Sequence, residues 1–153
     1  MGKELKEKLS ASALVDVLIT GTGAEKGKGI EWLDACDDAV ERERLRALLI
    51  HHLTKTHAPT DEPDAESIQR RDARAWLLSA LGRVCQDDEV GKEILKRHLN
   101  PEFEQNVWCR YWALEGIVAG GGESAIQFAS VSKVDKEPLV RCLAFAGDLP
   151  VSA

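Results

Sequence analysis

Two groups of residues have types and spacings that could support chemistry, and the first is a histidine cluster. His51, His52 and His57 lie near Asp61 and Glu62 in the sequence, and imidazole and carboxylate groups are metal ligands. Adjacent histidines point to different sides of a helix, so His51 and His52 could bind one metal ion only with distortion. We therefore interpret the cluster as surface residues or residues that contact a helix cap. The sequence predicts no metal and no other cofactor.

The second group is the glycine-rich run from Gly21 to Gly29, which superficially resembles a phosphate-binding loop. That loop has four residues between its glycines, followed by a lysine and by a serine or threonine that binds magnesium. Here five residues separate Gly21 from Gly27, and Gly29 stands where the hydroxyl residue is required. The run also follows a predicted helix rather than a strand. The sequence therefore predicts a flexible loop in this segment.

The cysteines complete the search for chemistry. None has CxxC spacing or the zinc-finger spacing to a histidine, so we expect reduced, buried thiols. No nucleophile with a neighbouring base can be identified from spacing alone. The sequence therefore predicts that the protein is not an enzyme. The four cysteines are Cys36, Cys85, Cys109 and Cys142.

The composition is that of a folded domain. The chain has 153 residues, of which 44% are hydrophobic and 30% are charged, and its formal net charge is −6. A chain of this length can bury a core without disulfides or metals, and the negative charge disfavours a dedicated nucleic-acid-binding protein. We find no apolar run that would span a membrane and no signal-peptide pattern. The sequence predicts a cytoplasmic protein with one domain and no membrane association.

Helical periodicity occurs along the whole chain, and alternating strand patterns are nearly absent. The sequence therefore predicts an all-α fold. We expect N-terminal capping helices and a weak repeat in residues 1–56, a loop at 57–63 and clearer repeats in 64–153. Predicted helices cover 3–20, a short segment around Ile30 and Leu33, 38–55, 64–85, a segment from Asp87 or Asp88 to Leu99, a segment from Asn100-Pro101 to Gly120, 123–131 and 136–149.

An internal repeat organises these helices. Segments that begin at Arg74, Arg110 and Arg141 align without gaps, and a weaker copy begins at Arg46. Each arginine is followed by apolar residues and then by a small residue, which lets another helix approach closely. Because each arginine lies near a helix start, it can bind carboxylates or carbonyls of the adjacent repeat. The pattern predicts a ladder of structural arginines. The small residues are Ala80, Gly116 and Gly147.

These segments resemble HEAT-like repeats, including the short bacterial type related to bilin-lyase repeats. Leu139-Val140-Arg141 matches the opening of that repeat best, and the resemblance covers about residues 64–150 well and 38–55 weakly. It implies a short α-solenoid of antiparallel helical hairpins. It also implies that the chain holds a protein partner.

The functional prediction is a non-catalytic scaffold or adaptor of unknown oligomeric state. Trp76 and Trp112 share a repeat column and are expected in the core, whereas Trp108, Arg110 and Tyr111 form the candidate partner-binding surface. Two alternatives stay open: a sensor or adaptor domain of a larger multidomain bacterial protein, and a HEAT-like enzyme acting on nucleic acid or bilin.

The last predicted helix is not polar all round, because it carries Leu139, Leu143 and Phe145. The terminal repeat of a solenoid needs a polar outer face, or its apolar face stays open. This pattern predicts either the N-terminal part of a longer protein or an end that interacts with a partner.

Overall fold

The computed structural model describes residues 9–55, 64–120 and 123–148, and within these ranges the chain forms eight helices and no strand. The predicted all-α class is therefore confirmed. The predicted loop at 57–63 lies outside the described residues. The helices are α1 (Ala11–Thr20), α2 (Gly23–Ala35), α3 (Ala39–Thr54), α4 (Ala65–Val84), α5 (Glu89–Leu99), α6 (Val107–Gly120), α7 (Glu123–Ser132) and α8 (Pro138–Asp148).

Side-chain caps determine where most of these helices begin. Ser10, Asp38, Asp64 and Asp88 each accept a hydrogen bond from a backbone N–H in the first turn of the following helix. Such a cap stabilises a helix by about 1 kcal/mol. The predicted caps at Asp64 and Asp88 are confirmed. The first helix begins at Ala11, and the part of its prediction that covers residues 3–8 lies outside the described residues.

The predicted loop from Gly21 to Gly29 is wrong, because most of this segment belongs to α2. Thr22 Oγ1 accepts from Glu25 N at 3.2 Å, and Glu25 Oε1 accepts from Thr22 N at 2.9 Å, which makes a capping box. Gly29 is buried against Leu14, so its lack of a side chain serves helix packing rather than loop flexibility. A phosphate-binding loop does not form here.

The predicted start of α6 is also wrong. Asn100 and Pro101 do not cap this helix; it begins at Val107. Asn106 Oδ1 accepts from Cys109 N at 3.1 Å, the geometry of an N-cap. Glu104 precedes the first turn of the helix, and its carboxylate is fully buried between other charged residues.

Helices α4 and α6 pack against each other more closely than ordinary side chains allow. A Cβ atom on Gly116 would lie 2.1 Å from the Ser79 carbonyl oxygen, and one on Gly82 would lie 2.4 Å from Gly116 C. The predicted small position on α6, Gly116, lies at this close contact. On α4 the predicted small position was Ala80, but the residues at the contact are Ser79 and Gly82. Helix α8 packs against α6. The leucine-rich core lies between these helices and α1, α3 and α5.

No helix in the described ranges is long and apolar enough to cross a membrane.

Candidate functional site

An aromatic cluster lies on the outward sides of α4 and α6. The rings of Trp76 and Trp112 stack at 6.2 Å between centroids with an interplanar angle of 10°. Tyr111 makes edge-on contacts with Trp112 at 5.2 Å and with Trp108 at 6.0 Å. Trp108 is 52% exposed and Trp112 37% exposed, so the cluster reaches solvent. The expectation that Trp112 lies in the core is wrong.

The cluster borders a half-open depression of about 410 Å³ between the two helices, which we call the aromatic depression. This volume is within the range of about 300–1,000 Å³ typical of ligand sites. Its walls are largely apolar, with polar side chains at the rim. The lining residues are Ile68, Arg71, Asp72, Ala75, Trp76, Asn106, Trp108 and Trp112.

Close packing of α4 and α6 explains why the tryptophans meet. The contacts Trp76–Trp112, Ser79–Gly116 and Gly82–Ile117 run in the same order along both helices, so the helices are parallel. Trp76 lies about one turn before Ser79, and Trp112 lies about one turn before Gly116. Gly116 has no Cβ, so the two helix axes approach closely at its contact with Ser79. The stacked pair is therefore a consequence of the glycine contact one turn away.

An ion pair fixes one rim of the depression. Lys26 Nζ binds Asp72 Oδ2 at 2.7 Å, with the lysine side chain only 5% exposed and the aspartate 58% exposed. Lys26 belongs to α2, so this contact ties the N-terminal helices to the depression. Sequence reasoning missed Lys26 because it treated the segment as a loop. The spacing of Thr22 and Glu25 in a capping box was the signal that could have found the helix.

The arginines of the repeat have structural contacts. Arg74 binds Glu104 through Nε at 2.7 Å and Nη2 at 3.0 Å, and Arg110 binds Asp135 through Nε at 2.8 Å and Nη2 at 3.3 Å. These are bidentate pairs between one helix and the segment that precedes a later helix. The other two arginines bind carbonyls: Arg46 binds Val84 O at 2.8 Å, and Arg141 binds Asp135 O at 2.7 Å.

Arg110 does not belong to a partner-binding surface, contrary to the sequence-based assignment. Its side chain is fully buried, and it also donates to the Glu104 carbonyl at 2.8 Å. A guanidinium held in this way cannot contact another protein. Trp108 remains exposed and Tyr111 is half-buried, so the structure brings these two candidates together and removes the third.

Glu104 is the centre of a buried charged cluster. His98 Nδ1 lies 2.9 Å from Glu104 Oε1, and because a carboxylate only accepts, the ring nitrogen donates. Burial alone would raise the pKa of the Glu104 carboxyl, but the hydrogen bonds from His98 and Arg74 outweigh burial and hold this pKa below its ordinary value of 4.5. The carboxylate is therefore ionised at neutral pH.

This lowered pKa predicts acid sensitivity. In the folded protein Glu104 binds its proton at lower pH than in the unfolded chain, so its contribution to stability is present above pH 4.5 and is lost as the pH falls through the folded pKa. We expect the free energy of unfolding, measured by urea titration, to fall over this interval. The difference between wild type and Glu104→Gln should be largest near pH 7 and should narrow in acid. A difference independent of pH would contradict this assignment.

The buried thiols are not nucleophiles. Burial raises the pKa of Cys85 to about 11 and that of Cys109 to about 12, with Asp88 and Glu104 adding to the effect. Both stay protonated at neutral pH, and the reactive form of cysteine is the thiolate. Cys142 is exposed and Cys36 half-buried, so the expectation of buried thiols is wrong for these two.

The histidine cluster has no metal-site geometry in the described part of the chain. The rings of His51 and His52 lie edge to face with centroids 5.9 Å apart, and His57 lies outside the described residues. Within 9–55, 64–120 and 123–148, no group of three His, Cys, Asp or Glu side chains is arranged to hold a metal ion.

Comparison with known proteins finds no match to this chain. No protein-family model matches the sequence, and neither a curated protein nor a solved structure matches it. The functional argument therefore rests on the geometry of this chain, and above all on the aromatic depression.

Proposed function

We propose that this chain is a short α-solenoid of HEAT-like helical hairpins and that it binds a protein partner through the aromatic depression. The observation that carries the proposal is the exposure of two tryptophans in a fixed arrangement. Tryptophan and tyrosine are enriched among the residues that dominate binding energy at protein interfaces. The resemblance of the repeat segments to HEAT-like repeats supports the same function.

Packing between alternate helices supports the solenoid part of the proposal. Helix α3 contacts α5, α4 contacts α6, α5 contacts α7 and α6 contacts α8. In a solenoid, equivalent helices of successive hairpins stack in this way and each repeat contacts its neighbours. The arginine–carboxylate pairs recur at equivalent positions along α4 and α6, as expected for a repeated interface.

Rigidity supports the binding part of the proposal. Trp112 is held between the stacked Trp76 ring and the edge-on Tyr111 ring, so little side-chain freedom remains to be lost on binding. The rim provides polar groups, including the Asp72 carboxylate, around apolar walls. A partner that inserts an apolar or aromatic side chain would bury these walls, while its polar groups face the rim.

Replacement of Trp108 tests this function. The wild-type chain is used as bait in a lysate of the source organism, and the recovered protein is then titrated against purified variants. Trp108→Ala removes the most exposed ring of the cluster, so we expect binding to weaken by about 2 kcal/mol, or about thirtyfold. The measurement is the dissociation constant by isothermal titration calorimetry.

Val90→Ala is the control for this test, because Val90 is 56% exposed and belongs to α5, away from the lining residues. This variant should bind as wild type does. Equal affinity of the Trp108→Ala and wild-type chains, with unchanged circular dichroism, would exclude the aromatic depression as the binding surface.

A further inference from the structure

The aromatic depression is rich in hydrogen-bond donors. Its three tryptophans, Trp76, Trp108 and Trp112, each carry an indole N–H, a group that only donates. Among the described residues, none supplies an acceptor to any of these three groups. Trp76 is half-buried, but its Nε1 is not a buried atom without a partner, so this nitrogen reaches solvent. A ligand that covers the depression must therefore supply acceptors, or these donors lose their water without replacement.

Acceptors are scarce in the same lining. Only two of the lining side chains carry one, Asp72 and Asn106. Each already accepts a hydrogen bond within the chain: Asp72 Oδ2 from Lys26 Nζ at 2.7 Å, and Asn106 Oδ1 from Cys109 N at 3.1 Å. A ligand that brought many N–H groups of its own would find few partners for them in this depression.

This imbalance restricts the backbone conformation of the occupant. A helical segment uses its backbone carbonyls internally, except in its last turn, so its backbone offers few acceptors to the indole groups. A β-strand binds by adding to the edge of a sheet, and the described residues form no strand. A segment in the polyproline II conformation has no internal hydrogen bonds, so all of its carbonyls are open to the indole groups.

Proline is the residue type that suits such a segment. It has no backbone N–H, so it brings an acceptor without a donor. Its ring is apolar, and proline-rich segments dock in grooves lined by aromatic side chains. The stacked rings of Trp76 and Trp112 and the exposed ring of Trp108 provide aromatic faces of this kind. A proline-rich segment is also stiff before it binds, so it loses little conformational entropy.

We infer that the aromatic depression binds a proline-rich segment of the partner protein in the polyproline II conformation, with indole N–H groups donating to its carbonyls. This inference rests on the proposed function and specifies the chemistry of the partner at the same site. The rim does not require a charged ligand, since Asp72 is paired with Lys26 and Arg71 also interacts within the chain.

A decaproline peptide tests the inference. The fluorescein-labelled peptide is titrated with the full chain and followed by fluorescence anisotropy. A labelled glycine–serine peptide of the same length is the comparison, because it is uncharged, flexible and carries backbone N–H groups. We expect saturable binding of decaproline and binding of the glycine–serine peptide that is weaker by about tenfold or more, since the flexible peptide loses more entropy and has no apolar rings.

Variants of the full chain test the role of the indole donors. Trp108→Phe and Trp112→Phe each keep an aromatic face and remove one N–H. Each should weaken decaproline binding about fivefold, the effect of losing one hydrogen bond, with folding checked by circular dichroism. Trp32→Phe is the matched control, because Trp32 lines a separate depression. This variant should bind decaproline as wild type does.

Three results with the peptides would overturn the inference: no binding of decaproline, equal binding of the glycine–serine peptide, or decaproline binding that neither Trp108→Phe nor Trp112→Phe weakens. A fourth result separates the inference from the proposed function. If the recovered partner lost affinity on Trp108→Ala but was not displaced by excess decaproline, the proposed function would stand. The occupant would then be a helical or folded part of the partner, and the inference would be wrong.

Discussion

Replacing Gly116 with alanine is expected to destabilise the protein by about 3 kcal/mol or more. The added Cβ would lie 2.1 Å from the Ser79 carbonyl oxygen and 2.9 Å from Ser79 Cα, so it meets backbone atoms that no rotamer change can move aside. Overpacking of side chains alone costs about 1–3 kcal/mol, and here two helix backbones must separate. Urea unfolding at neutral pH measures the change.

Gly27→Ala is the matched control for Gly116→Ala. Gly27 also lies inside a helix, but a Cβ there would have no neighbour within 4 Å. Alanine at this position should stabilise the protein by up to about 1 kcal/mol, because it has the higher helix propensity. If the two variants changed stability equally, the close contact of α4 with α6 would be wrong.

The contact at Gly116 also determines the binding surface. A wider separation of α4 and α6 would pull the Trp112 ring from the Trp76 ring, which it now stacks on at 6.2 Å. A Gly116→Ala protein that remained folded should therefore show altered tryptophan fluorescence. Helix packing and the aromatic depression depend on the same glycine.

Replacing Arg110 with methionine is expected to cost about 3–5 kcal/mol of stability. The side chains of Arg110 and Asp135 are 0% and 1% exposed, so the substitution leaves a carboxylate buried without its cation. Breaking such a pair costs more than the pair contributes, because the remaining charge has lost both water and partner. The free energy of unfolding from urea titration is the measurement.

Two further variants separate this cost from a general loss of charge. Arg44→Met removes an arginine that is 68% exposed and should change stability by less than about 1 kcal/mol. Adding Asp135→Leu to Arg110→Met should recover part of the loss, because it removes the buried unpaired charge. No recovery in the double variant, together with a small effect of Arg110→Met alone, would contradict the role of the pair.

The repeat arginines show how far the sequence could lead. The pattern of an arginine followed by apolar residues and a small residue predicts that these arginines bind carboxylates or carbonyls. The expected position near a helix start holds for Arg110 and Arg141 and is wrong for Arg46 and Arg74, which lie near the middle of α3 and α4. The sequence could not show which acids they bind, because Glu104 and Asp135 are 30 and 25 residues away from their partners. Nor could it show that Arg110 is buried, since a charged residue is usually exposed unless it is paired.

The glycine-rich segment shows where composition misleads. The four glycines from Gly21 to Gly29 favour a loop by helix propensity, because each glycine inside a helix costs about 1 kcal/mol. The capping box of Thr22 and Glu25 offsets part of this cost, and the contact of buried Gly29 with Leu14 requires the small residue. Tertiary packing decided the structure here.

The aromatic depression was only half predictable. Trp108 and Tyr111 are visible in the sequence as candidates for a binding surface, because both are aromatic and lie within two residues of Arg110. Trp76 and Trp112 share a repeat column that in such repeats faces other helices, and this favours a core position. Only the packing of α4 on α6 shows that Trp112 reaches solvent, while Trp76 is half-buried and packs against the core.

The most direct test of the proposed function is hydroxyl-radical footprinting of the tryptophans, with and without the recovered partner. Trp32 serves as the internal control, because it belongs to α2 and lines a separate depression with Ser10 and Asp38. We predict that the oxidation rates of Trp108 and Trp112 fall on binding, while that of Trp32 does not change. Protection of Trp32 with unchanged rates at Trp108 and Trp112 would contradict binding through the aromatic depression.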